Sequence, residues 1–490
     1  MDHSRAPVVE ALLDFRRRGD VVFGPPGHRQ GRGVDRRLLD VLGEGLFAAD
    51  VLLLNGLDDR RESQGVLADA QALMADAVHA DQTFFSTCGS SLSVKSSMMA
   101  VAGPGEELLV SRNAHKSVVS ALVIAGIRPV WVHLHVDEDL HLAHPPEPED
   151  VRRALADHPR ARGMLLITPT DWGTCADIEG VAQVCHDAGV PLIVDEAWGA
   201  HLPFHRDLPT WGMNAGADVV VTSVHKMGSA VEQSSVFHLQ GDLVDPSVLK
   251  QREDLLGTTS SSSLVYLTLD GWRRQMVEEG ERLLAAAIDR AARVGTAVDA
   301  IDGLSLMGRE VVRPGGAFDL DPLVLTIDVR GLGVTGYAAA EWLRDRCHVD
   351  LGAADTCRVN ARLTHADDER TEQVLVEALQ QLAGRADEID RAPHVDLPRG
   401  PELELETVMR PRDAFFARVE QVPASRAVGR VVAELVTPYP PGVPVLVPGE
   451  RVTAEALDYL RTGVAAGMLI PDAADPELST LRVVDEADAP

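Results

Sequence analysis

Short apolar runs alternate with amphipathic stretches through the first half of the chain. The runs at residues 83–86, 107–111, 128–133, 163–168, 191–195 and 218–222 are each four to six residues long. Most are rich in Val, Leu and Ile, as strands covered on both faces are. Between them, residues 64–79, 89–101 and 178–188 carry Ala, Leu and Val at helical spacing, and Gly189 closes the last of these just before the next strand. A further helix follows His115. Strands alternating with helices predict an α/β fold with a mainly parallel, mixed sheet.

The flanks read differently. Residues 1–60 look like an N-terminal arm: a helix at 8–18, the turn-rich loop Phe23-Gly-Pro-Pro-Gly-His-Arg-Gln-Gly31, and the apolar run Asp50-Val-Leu-Leu-Leu-Asn55. Residues 61–290 make the large domain. A long helix at 271–298 leads into a smaller α+β C-terminal domain, residues 291–490. That domain has apolar runs at 323–329 and 358–363 and a charge- and proline-rich linker at 386–402. The segment Thr437-Pro-Tyr-Pro-Pro-Gly442 must be an extended turn, because proline fixes φ and removes donors. A chain of 490 residues is too long for one ordinary core.

Charge narrows the function classes. The net charge of −29, from 46 basic and 75 acidic residues, argues against nucleic acid, which is bound by neutralising phosphates. It argues equally against an anionic membrane. A small cationic substrate would be attracted. No apolar run approaches the ~20 residues needed to span a bilayer, and the N-terminus has no apolar signal core, so a cytoplasmic protein is expected. Five scattered cysteines without C-x-x-C spacing point to neither a disulfide framework nor a metal site.

The candidate chemistry sits where predicted strands give way to loops, the edge of an α/β sheet at which ligands bind. Lys226 ends Ser223-Val-His-Lys226, and Asp195 ends Pro191-Leu-Ile-Val-Asp195. A lysine there can form a Schiff base with an aldehyde, and an aspartate can hold a pyridinium nitrogen. Ser223 and His225 can bind a phosphate. Thr87-Cys-Gly-Ser-Ser91 stands between a strand and a helix, where backbone N–H groups and the Ser90 and Ser91 hydroxyls make an anion site. It is neither a Walker loop nor a G-x-G-x-x-G turn. His115 can stack on one face of a pyridine ring, and Ala197 is small enough to lie against the other. Each element alone could be an ordinary cap, a packed histidine or a surface lysine. In one order, each at a strand-to-helix junction, they describe a site for pyridoxal 5'-phosphate.

With these residues the chain resembles the Orn/Lys/Arg decarboxylase family. The resemblance is carried by Pro26-Gly-His-Arg-Gln-Gly31, Cys88-Gly-Ser-Ser91, Arg112-Asn-Ala-His-Lys-Ser117, Asp195-Glu-Ala-Trp-Gly-Ala-His201, Ser223-Val-His-Lys226, Thr258-Thr-Ser-Ser-Ser-Ser263 and Val436-Thr-Pro-Tyr-Pro-Pro-Gly-Val-Pro444. It implies a PLP-dependent transferase-like large domain of the aspartate aminotransferase type, in the short form without an extra N-terminal domain. It further implies that Lys226 bonds the cofactor and Asp195 binds its ring nitrogen. His115 and Ala197 would flank the ring, while Ser90, Ser91, Ser223 and His225 hold the phosphate. The family's dimer, with shared active sites, would use residues 258–263 to reach the partner subunit. Departures occur at Cys88, where the family has Asn, at Asp171, where it has Tyr, and in Thr259-Ser-Ser-Ser262, which lacks the usual proline. Asp171 and Trp172 would lie near the cofactor and bear on substrate choice.

The reaction so implied is decarboxylation of a basic L-amino acid (arginine, lysine or ornithine) to the amine, with Lys226 or His115 as proton donor. Two alternatives stand beside it. One is a different PLP reaction on the same fold: oxidative deamination, transamination or aldol-type cleavage. The other is a non-catalytic protein that binds or regulates a decarboxylase, against which intact Lys226 and Asp195 count.

Overall fold

The computed structural model describes residues 1–52, 65–391, 393, 395–439 and 442–489. Its strands include a seven-stranded sheet built from β1 (Gln82–Ser86), β2 (Glu107–Ser111), β3 (Arg128–Val132), β4 (Met164–Ile167), β5 (Leu192–Asp195), β6 (Val219–Ser223) and β7 (Ser235–Leu239), in the order β1-β7-β6-β5-β4-β2-β3. The α/β expectation is met, with one addition. The run Ser235-Val-Phe-His-Leu239 forms β7, antiparallel to both β1 and β6, and is what makes the sheet mixed.

The chain divides into two compact units, residues 1–100, 193–206 and 210–283, and residues 101–192, 207–209 and 284–490. In the first unit, β6 and β7 are buried along their whole length, which explains their near-continuous apolar sequence. Residues 193–195 of β5 pair in parallel with Val219, Val220 and Val221 of β6. Helix α1 (Pro7–Arg18) starts on proline and stops at Gly19, whose φ of +68° is the left-handed cap that glycine adopts most cheaply. Helix α2 (Val66–Ala77) packs against β1. The run at 50–55 lies mostly outside the described residues.

In the second unit, β2 runs parallel to β3 and to β4. Helix α3 (Lys116–Ala125) is capped by the His115 side chain and ends at Gly126 in the left-handed region. Helix α4 (Ile178–Asp187) begins at Asp177, whose carboxylate accepts the Gly180 N–H at 2.9 Å. A second sheet joins residues 305–306, 324–328, 358–362 and 353–354 in that order. Beyond it, Val432, Val436, Leu446, Leu460, Leu481 and Val483 form an apolar core for the C-terminal segment. The long helix runs from Ser263 to Asp299, eight residues earlier than the sequence suggests. Gly271 reads as a helix start but lies within the helix with open space around its Cα.

Candidate active site

In the first unit, three strand ends meet. β1 is followed by Thr87-Cys88-Gly89, and Gly89 has φ +72° with nothing within 4 Å of where a Cβ would stand. The glycine is therefore needed for its backbone angle. Its N–H donates to the Gln233 carbonyl at 3.0 Å, and a helix starts there, Gly89–Val101. Ser90 in its first turn accepts the Ser223 hydroxyl at 2.7 Å, joining the ends of β1 and β6. His225 uses Nδ1–H on the Ser234 carbonyl at 3.0 Å, which fixes Nδ1 as the protonated nitrogen.

Lys226 sits in the short helix Val224–Met227. Its Nζ lies 4.0 Å from the centre of the Trp198 ring, a cation–π distance. Gly228 closes that helix against Trp272, where a Cβ would stand 2.8 Å from the indole. Asp195 is 5% exposed at the end of β5, and its Oδ1 accepts the Ala197 N–H at 3.1 Å. The Ala197 carbonyl in turn accepts the Ser223 N–H at 3.3 Å. Ser90, Asp195, Ala197, Ser223, His225 and Lys226 are thus linked within one unit, with Ser91 beside Ser90. The donor set suits a phosphate-bearing aldehyde. It offers serine hydroxyls and the first turn of a helix for the anion, a carboxylate for a ring nitrogen, and an amine.

His115 belongs to the second unit. Its Nδ1 accepts the Ser117 N–H at 3.2 Å, which leaves the proton of the neutral ring on Nε2. Gly442 lies against this ring: a Cβ there would stand 3.3 Å from His115 Cδ2. Pro440 and Pro441 of the extended turn expected at 437–442 lie outside the described residues. Arg112, 8% exposed, donates to the carbonyls of Pro444 at 2.8 Å and Val445 at 3.1 Å and pairs with Glu450 at 3.2 Å. Asp171 and Trp172 line a cavity of about 530 Å³ with Asn113, Thr170, Asp355 and Tyr459. The Asp171 carbonyl is held by Asn360 at 2.6 Å and Arg362 at 2.7 Å. Among the described residues no cluster could hold a metal ion, and no helix is long and apolar enough to cross a membrane.

The model of the Orn/Lys/Arg decarboxylase major domain matches residues 6–352, and that of the C-terminal domain matches residues 401–472. The chain belongs to the Orn/Lys/Arg decarboxylase family. It is 36% identical to an arginine decarboxylase of Bacillus anthracis, covering 98% of this chain and 97% of that one. It is 36% identical to an arginine decarboxylase of Bacillus subtilis, covering both chains in full. The fold matches the Francisella novicida lysine decarboxylase with a TM-score of 0.83 at 19% identity, covering 98% of this chain and 81% of that one. This member of the family is a PLP-dependent enzyme that decarboxylates a basic amino acid.

Two contributors were not singled out from the sequence. Trp198 lies within a quoted motif, but its contact with Lys226 spans two strand ends. Gln233, at φ +70°, meets Gly89 from a segment with no apolar period.

Proposed function

We propose that this decarboxylase acts on L-arginine, releasing carbon dioxide and agmatine. The full-length match to arginine decarboxylases carries this reading. It is supported by the lining of the 530 Å³ cavity, which carries Glu138 and Asp139 beside Arg399, together with Asp171 and Asp355, which pair with Arg362 at 3.9 Å and Arg358 at 3.0 Å. An excess of carboxylates complements a guanidinium.

When bound, pyridoxal phosphate supplies an electron sink conjugated to the substrate's α-carbon. The protein's residues bind, orient and move protons. Ser90, Ser91, Ser223 and His225 hold the phosphate. Asp195 would keep the ring nitrogen protonated, and Ala197 would leave room for the ring. His115 carries over from its motif as the imidazole that would stack on the ring. Lys226 would hold the cofactor covalently, and its Nζ would return a proton to the product carbon. The chain works as a homodimer in the cytoplasm. Thr258, Thr259 and Ser260 are exposed, whereas Ser263 is buried and donates to the Ala49 carbonyl of its own chain. Phe23 and Val41, 86% and 79% exposed, add apolar surface that a second copy would cover.

A product screen by mass spectrometry with PLP and arginine, lysine or ornithine tests the reading. The expected result is agmatine, with kcat/KM for arginine at least about tenfold above the others, a difference of 1.4 kcal/mol in transition-state binding. Preference for lysine or ornithine would overturn it.

A further inference from the structure

Glu196 follows Asp195 directly and is used by none of the steps above. It is fully buried. Its Oε2 accepts the Gly212 N–H at 3.1 Å, while Oε1 has no hydrogen-bond partner among the described residues. The pocket around it is tight. A Cβ on Gly212 would stand 2.9 Å from Oε2 and 2.7 Å from Val220 of β6, and one on Gly199 would stand 3.0 Å from the Glu196 Cβ. Gly212 must therefore be glycine for the carboxyl to seat there. A buried carboxylate with one hydrogen bond and no paired cation is costly, whereas the un-ionised acid is not.

We propose that Glu196 is a positioning residue that works as a neutral acid. Its bond to Gly212 pins the turn presenting Asp195, Ala197 and Trp198, and its neutrality keeps a second negative charge away from Asp195. This rests on Asp195 being the partner of the ring nitrogen. Two adjacent carboxylates could not both stay ionised in such a place, so the acid with no cofactor contact carries the proton. Burial, and after it the neighbouring Asp195 charge, both push the Glu196 carboxyl well above the usual range.

The first test needs neither turnover nor substrate. An infrared difference spectrum of the parent against Glu196→Gln, taken at neutral pH with and without PLP, should show the loss of one un-ionised carboxylic C=O signal. The second follows the visible band of the bound cofactor with pH. Glutamine keeps an acceptor for Gly212 and no charge, so the midpoint should move by less than about 0.3 unit. Glu196→Ala, lacking the bond, should retain PLP about tenfold less tightly, the equivalent of one hydrogen bond. Absence of the infrared change, or a midpoint shift of a unit or more in Glu196→Gln, would overturn the proposal. Neither outcome depends on whether arginine is the substrate.

Discussion

Replacing Arg112 with methionine should loosen the C-terminal segment from the loop that carries His115. Arg112 follows β2 and is separated from Glu450 by 338 positions, yet its guanidinium reaches both Glu450 oxygens at 3.2 and 3.3 Å. It also lies over Trp131 at 5.0 Å. Glu450 is 1% exposed, and its carboxylate also accepts the Val447 N–H at 2.9 Å. Methionine preserves the packing but strands this carboxylate and removes the donor from two carbonyls. Breaking a buried pair from one side costs about 3–5 kcal/mol. At 1.4 kcal/mol per factor of ten, amides near residues 445–450 should exchange roughly a hundredfold to several thousandfold faster by hydrogen-exchange mass spectrometry. Glu450→Gln keeps the Val447 bond and leaves the guanidinium with its carbonyls, so its cost should be smaller, about 1–3 kcal/mol. Local exchange is the right assay because one global unfolding free energy is ill-defined for a multidomain chain. Unchanged exchange in Arg112→Met, or a larger effect from Glu450→Gln, would refute this account of the brace.

Lys226→Ala should abolish the visible absorption band of the purified enzyme and its carbon dioxide release together; a surviving band would remove Lys226 from the role proposed for it. Gly442→Ala places a side chain at φ +90° and 3.3 Å from the His115 ring, a strain of about 1–2 kcal/mol. Cofactor retention measured by fluorescence titration should fall about tenfold. Acid should destabilise the sheet through His238, which is 2% exposed on β7, bonded to Thr83 at 2.9 Å and pushed by burial down to about 3. Its folded value lies below the unfolded one of about 6.5. The unfolded chain therefore binds the extra proton, and stability is lost as pH falls from about 6.5 towards 3, by up to about 5 kcal/mol. Thermal unfolding of His238→Gln should show a flatter acid limb than the parent.

The strand ends that hold the candidate site residues were legible because a buried parallel strand has a plain signature and its polar successor stands out. Asp195, Ser223 and Lys226 are read that way, and so are the Ser90 turn after β1 and His115 after β2. Strand order was not legible. β7 is fully buried, yet its sequence holds Ser235 and His238, whose polar groups are satisfied by distant neighbours: Thr222 and Ser93 for Ser235, and Thr83 for His238. Nothing local separates such a strand from a loop. The start of the long helix was misplaced for the opposite reason. Gly271 carries a strong local signal that helix packing overrides.

The C-terminal motif shows what sequence order hides. Tyr439-Pro-Pro-Gly442 lies more than 200 residues beyond Lys226 and bears no catalytic group. Its informative residue is Gly442, whose missing side chain lets the chain pass against the imidazole of His115. Around that contact, Lys116 pairs with Asp472 at 3.3 Å and sits 6.0 Å over Tyr439, while Arg112 holds Pro444, Val445 and Glu450. Three cationic or aromatic clamps thus bracket one histidine whose own bonds leave only Nε2 to carry its proton. The His115 ring is held by the cap that Nδ1 makes with Ser117, and Gly442 lies close against its Cδ2 edge. If His115 has the role proposed for it, the C-terminal segment would act on the chemistry by restricting that ring. This predicts that its variants will change cofactor binding and reaction geometry before they change the sheet.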